Sequence, residues 1–412
     1  MTARGTLTLL KQGAERIERR TPAHRDRAVD GLRALALLAV PTGHWLLGGF
    51  TLDADGGLHN ASPLSEFGAL APASWVLQML GIFFLVGGYA SAVSFPRRTG
   101  SAGAWLKGRI VRLGRPVLGV TAVWALAAPV LYAAGVPEAT LRTGATLVIQ
   151  PLWFVGVYVV ITALTPYCVR AAGRLGGWAA APLLASVAVV DFLRYGPLAG
   201  SVPGWVSLLN ILPGWLFAYQ LGVGWGEGRI GRRGGRLLLV GGTLLFAALL
   251  VVFHYPASMV GVPGEARTNS HPPSLLVLAL AAAQSGAAIL LRDRLARLLA
   301  RPALWAPVVV VNLCAMTILC WHQTAMLAAA VPGSFLGGVA GVTGLTTAPD
   351  SLGWIAGRLA WMPVFAVLLV VIARYAKRFE GPAREGRTAP AVRRTVAGLL
   401  AAGFAVFALG LA

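Results

Sequence analysis

The chain has 412 residues, 57% hydrophobic and only 12% charged, with a formal net charge of +20. Soluble globular domains carry roughly 25% charged residues, and the apolar runs here reach lengths of about 18 to 29 residues, enough to cross a hydrocarbon layer of roughly 30 Å as helices. The composition excludes a soluble enzyme, a coiled coil, a disordered chain and a disulfide scaffold, and fits an all-α polytopic integral membrane protein.

In chain order, residues 1–28 form a basic cytoplasmic N-terminal segment with no apolar stretch long enough for a cleavable signal core, so the first span serves as its own insertion signal. Apolar segments follow near 29–50, 69–95, 116–135, 143–165, 177–193, 203–225, 236–256, 272–291, 303–331, 351–373 and 395–412. They predict a bundle of about 10–11 transmembrane helices. The first ten make a membrane domain over 29–375, followed by a basic cytoplasmic linker over 376–394 and an added C-terminal span over 395–412.

With the N-terminus cytoplasmic, the stretches 1–27, 96–115, 166–176, 226–236, 292–302 and 374–394 hold 30 of the 35 Lys and Arg residues. Arg142, Arg194, Arg267 and Arg358 fall outside or near it, and Arg33 lies in the first segment. This asymmetry follows the positive-inside rule, predicts a multi-pass protein of a bacterial-type inner or plasma membrane, and explains the basic charge without nucleic acid. The outer stretches 51–68, 254–271 and 332–350 are long enough for a lid, not for a domain. No internal repeat is visible.

The first span, VDGLRALALLAVPTGHWLLGGF over 29–50, places Asp30, Arg33 and His44 in an apolar helix. Ionisable groups there are costly unless they face a polar interior, so each is a functional candidate. Eleven residues at about 100° each bring Arg33 and His44 to within about 20° of one helix face, roughly 16 Å apart along the axis. His44 then lies near the bilayer midplane and Arg33 at the cytoplasmic edge. The plainer alternatives are an Arg33–Asp30 pair one turn apart and a His44 that bonds another helix.

Elsewhere, His59 beside Asp53 and Asp55, and His254 and His271 around Glu265, fit no metal-ligand spacing and read as solvated loop residues. Asp191 and Arg194 are expected to pair. Cys168, Cys314 and Cys320 read as small hydrophobes. No metal is expected.

The pattern Arg-x10-His, introduced by Asp-Gly-Leu-Arg-Ala over 30–34, resembles the signature of the acyltransferase family 3 integral membrane proteins. Four further stretches are similar to family elements in the expected order: GIFFLVGGYASAVSF (81–95), KGRIVRLGRPVL (107–118), PLWFVGVYVV (151–160) and ILCWHQTAM (318–326). Gly87 departs from the serine usual in the first of these, which removes a hydroxyl.

The resemblance implies O-acylation, acetyl or longer, of a glycan, lipid-linked sugar or small natural product of the cell envelope or of secondary metabolism. Under it, His44 is the general base, and Arg33 with Arg109, Arg112 and Arg115 holds the phosphates of acyl-CoA, the donor substrate. Trp153, Tyr158 and His322 are candidates for substrate contact, with packing as the plainer reading of each. No Gly-x-Ser-x-Gly elbow or Cys–His pair stands out, so direct attack is expected over an acyl-enzyme. A multi-pass transporter or flippase of an acyl donor or glycan intermediate, with His44 as a pathway residue, is the alternative.

Overall fold

The computed structural model describes residues 3–197, 199–263, 265, 267–336, 341–380 and 398. The predicted span 395–412 and most of the linker 376–394 lie outside the described residues. Helices dominate, with one small hairpin.

The basic N-terminus forms a helix, α1 (Ala3–Arg20), which an expectation based on apolar runs missed. The predicted first span is helix α2 (Arg27–Leu47), which is not among the helices long and apolar enough to cross a membrane; it starts where the Asp26 carboxylate accepts the Val29 N–H. It ends where the Gly48 N–H closes on the His44 carbonyl at 3.1 Å. The chain then turns into an antiparallel hairpin, β1 (Gly49–Leu52) and β2 (Leu58–Ala61), in register Gly49 with Ala61 through Leu52 with Leu58. Asp53 braces its tip by accepting the Asp55 and Gly57 N–H groups.

Beyond the hairpin come α3 (Ala71–Leu77), α4 (Leu80–Ser94), α5 (Ala102–Ala133), α6 (Glu138–Ile149), α7 (Trp153–Ala163), α8 (Thr165–Leu175) and α9 (Ala181–Tyr195). They are followed by α10 (Ile211–Gly226), α11 (Arg232–Val251), α12 (Leu275–Leu298), α13 (Pro302–Leu313), α14 (Ala315–Leu336) and α15 (Leu352–Ala376). Among the described residues eight helical runs are long and apolar enough to cross a membrane, or nine if α13 and α14 count as one span. The chain is a multi-pass membrane protein.

Three expectations change. The helix α5 begins at Ala102 and takes in most of the basic stretch 96–115. Residues 166–176, expected as a connection, are α8, and run on through a 3-10 segment into α9 as one candidate span, Thr165–Tyr195. The predicted helix 303–331 is two helices bent by 76° at Cys314, a break that starts α14 deep in the apolar sequence.

At the centre, α4 and α10 meet at Gly88 and Gly222. A Cβ at either would overlap the backbone of the facing helix, at Tyr219 and Leu85 respectively. Helix α2 is buried on one side against α4, α12, α13 and α14. The Asn312 amide bonds the Asp30 carbonyl at 2.9 Å, and the Trp45 indole N–H donates to the His322 carbonyl at 3.0 Å.

Candidate active site at the end of α2

The last turn of α2, the end of the hairpin, the α3–α4 junction, the segment before α7, the described residues between Val260 and His271, and the middle of α14 together line a cavity of about 350 Å³. His44 is in its wall, with Trp153, Phe154, Gln323 and His271. A larger depression of about 680 Å³ lies on α8 between Tyr167, Arg170 and Arg174, and no base or nucleophile suited to acyl transfer lines it.

Gln323 stands 2.9 Å from His44 Nδ1. As placed, the amide N–H donates to Nδ1, which leaves the imidazole proton on Nε2. Rotating the amide by 180° makes its oxygen the acceptor of an Nδ1–H and frees the Nε2 lone pair for base chemistry. Nothing in the sequence motif pointed to Gln323, which only the α2–α14 packing brings to His44.

His322 lies behind His44, the two rings edge to face with centroids 5.0 Å apart. It is fully buried, its Nδ1–H donates to the Ile318 and Leu319 carbonyls, and it is not among the residues lining the cavity. Trp153 does line the cavity, with its ring against His271 at 4.9 Å. Tyr158 packs instead on Phe83 and Phe154 and covers Gly87, where a Cβ would stand 2.8 Å from its hydroxyl. The glycine that replaces the expected serine thus makes room for this tyrosine.

Arg33 does not line the cavity and meets Asp30 at 3.3 Å, and Asp30 also bonds Arg25. Arg109 donates to Ser94 Oγ at 2.7 Å and stacks on Trp105, within electrostatic range of Arg33, Arg112 and Tyr158. Arg112 is exposed and Arg115 half-buried on the same helix. Arg33, Arg109 and Arg112 therefore share a basic region beyond the far end of α2 from His44.

The structure corrects two readings, those of His271 and of Asp191, and adds burial to a third residue, Arg358. His271 is half-buried in the cavity wall, where desolvation, reinforced by the charge of His44 in its protonated form, pushes it down to about 4. Asp191 does not pair with Arg194. It accepts from Asn210, from the Tyr255 hydroxyl and from the Leu275 N–H, with Arg267 at 3.9 Å, while Arg194 donates to the Val202 carbonyl. Arg358, expected outside or near the outer membrane edge, is fully buried in α15, donates to the Gly48 carbonyl at 2.8 Å and stacks on Trp354. The pairing of His59 with Asp53 at 2.8 Å is exposed, as expected of loop residues. No group of three or more metal-ligating side chains occurs among the described residues.

A family model described as an acyltransferase domain matches residues 26–374, nearly the whole chain. No curated protein and no solved structure gives a significant match.

Proposed function

The chain belongs to acyltransferase family 3 and is a membrane acyltransferase, and from that premise we propose that it transfers an acyl group from acyl-CoA to a hydroxyl, with His44 as general base. The observation that carries this reading is the position of His44: an ionisable side chain in the last turn of α2, in a cavity wall, with its Nδ1 held by Gln323. With the Gln323 oxygen on Nδ1–H, Nε2 takes the acceptor proton as the hydroxyl oxygen bonds to the thioester carbon. Collapse breaks the C–S bond, and the thiolate recovers the proton from His44.

The N-terminus is cytoplasmic in this scheme. The basic region of Arg33, Arg109, Arg112 and Arg115 receives the donor phosphates, because guanidinium groups match phosphate oxygens in bidentate pairs. The acceptor comes from the opposite face, past the hairpin and residues 260–271. The acceptor is a glycan, a lipid-linked sugar or a small natural product. Trp153 contacts it in the cavity, while Tyr158 and His322 act from behind the wall.

The test is acceptor-dependent release of free CoA by the purified protein in lipid nanodiscs. Release by the wild type that disappears in His44→Ala supports the reading. A folded wild type that releases no CoA across a broad donor and acceptor panel removes it, and vesicle transport then becomes the experiment to run.

A further inference from the structure

Transfer to a hydroxyl brings the reacting unit of the acceptor into the cavity beside His44, so the chemistry of the wall decides what that unit can carry. A charged group that leaves water for a site without an opposite charge loses its hydration and gains nothing in return, whereas an uncharged hydroxyl needs only hydrogen-bonding partners. The charge content of the wall therefore selects among acceptors.

Among the described residues that line the cavity there is no Asp, Glu, Lys or Arg. Apart from the imidazoles of His44 and His271, its polar side chains are neutral at every pH, chiefly the amides of Asn60, Gln78, Gln150 and Gln323 and the hydroxyl of Thr268. The side-chain amides of Asn60, Gln78 and Gln150 bond no other described residue, so the wall keeps hydrogen-bonding capacity for a ligand. Charged groups around the cavity are engaged elsewhere. Arg358 is fully buried, donates to the Gly48 carbonyl and stacks on Trp354, Arg267 lies between Tyr195 and Tyr255 beside Asp191, and His59 pairs with Asp53. Glu265 is exposed and does not line the cavity. The volume of about 350 Å³ is near the lower end of the roughly 300–1,000 Å³ of small-molecule sites, room for one ring-sized unit with the acyl group and not for a run of linked sugars.

We propose that the acceptor unit carrying the reacting hydroxyl is an uncharged, polyhydroxylated ring, and that the cavity rejects the same ring bearing a carboxylate, a phosphate or an ammonium group. This rests on the His44 reading above and deepens it by naming the acceptor class. An amide side chain both donates and accepts, so it matches a neighbouring hydroxyl in either sense. A carboxylate on that ring finds no cation in the wall, and an ammonium group finds no carboxylate. Charge farther along the acceptor, in the water outside the cavity, is not selected against.

The experiment starts from whichever hydroxyl compound supports CoA release in nanodiscs. Four derivatives of its reacting ring, a carboxylate with the matching amide and an amine with the matching acetamide, compete against it. The carboxylate and the amine are each expected to bind on the order of 100-fold more weakly than their neutral partners of nearly the same shape. The proposal is overturned if the acceptor that supports release already carries an ionised group on its reacting ring, or if either charged derivative binds within about threefold of its neutral partner. A second measurement needs no turnover. Ala61→Cys and Val260→Cys each put a thiol on a lining residue, and neutral, anionic and cationic methanethiosulfonates of similar size react with it. Rates are taken relative to free N-acetylcysteine and to the parent chain, whose native cysteines are Cys168, Cys314 and Cys320. The neutral reagent is expected to outpace both charged ones by about tenfold on this relative scale. An anionic reagent that matches or exceeds the neutral one brings the Arg358 charge within reach of the cavity and overturns the proposal, as does a cationic reagent that keeps pace. An inactive wild type removes the His44 reading, while the thiol rates still decide the neutrality of the wall.

Discussion

The two ends of α2 are built differently. At the Arg33 end, guanidinium groups are half-buried or exposed, and Arg33 and Arg109 have partners in Asp30 and Ser94. At the His44 end, His44 is open to the cavity but the polar groups behind it are buried: Gln323 and His322 against its ring, and at the helix terminus Arg358 and the Ser62 hydroxyl, which donates to the Leu47 carbonyl at 2.8 Å. Exposed charge is cheap and tolerates loss, while enclosed polar groups are expensive and must each be satisfied. Variants at the first end should therefore weaken binding, and variants at the second should damage chemistry.

The largest effect expected is on kcat in His44→Ala, about 10³-fold if base catalysis is the role, read from CoA release at saturating donor and acceptor. A loss confined to KM would break the contrast between the two ends. Next, Arg33→Ala with Arg109→Ala should raise the acyl-CoA KM on the order of 10- to 100-fold, the value of losing hydrogen bonds to charged groups, with kcat little affected. If kcat falls instead, the basic region takes part in the chemistry or in folding.

Gln323→Leu should follow with a loss of about tenfold in kcat, the worth of one hydrogen bond that fixes an imidazole tautomer, and Gln323→Glu should shift the pH–rate profile toward higher pH by stabilising protonated His44. An unchanged profile in Gln323→Glu would separate Gln323 from the base.

A smaller, structural effect is expected at Asp26, which caps α2 and is held by Arg292 and Tyr89. Burial raises this carboxyl, but the bonds from Arg292, Val29 and Tyr89 outweigh it and the net shift is downward. A depressed carboxyl stabilises the fold at neutral pH and loses that contribution as pH falls from about 4 through its folded value. Asp26→Ala should lower stability by about 1 kcal/mol, measured by thermal unfolding in detergent, with the difference from wild type shrinking in acid. Last, Asp53→Asn at the exposed pair with His59 should leave the thermal midpoint in detergent close to that of wild type.

Much of this was legible in the chain itself. Apolar runs of spanning length identified a helical membrane protein, and Arg33 and His44 stood out because ionisable residues are rare in such runs. Periodicity along α2 put the two on one face, and the rise over eleven residues set them roughly 16 Å apart along the helix. The break at Cys314 was not visible, since no proline or glycine marks it and both halves are equally apolar. The partners of Asp191 were also hidden. Arg194 is near in sequence, but the carboxylate is satisfied by Asn210, Tyr255 and the N-terminus of α12, all brought by tertiary packing.

By itself, then, the sequence determined the medium, the helical class and the candidate base, because hydrophobic length and the cost of a buried charge act on each segment locally. Only the tertiary structure decided what surrounds that base. Gln323, His271 and Arg358 reach the end of α2 from α14, a loop and α15, and hydrogen bonds between segments hundreds of residues apart leave no periodic trace in the chain.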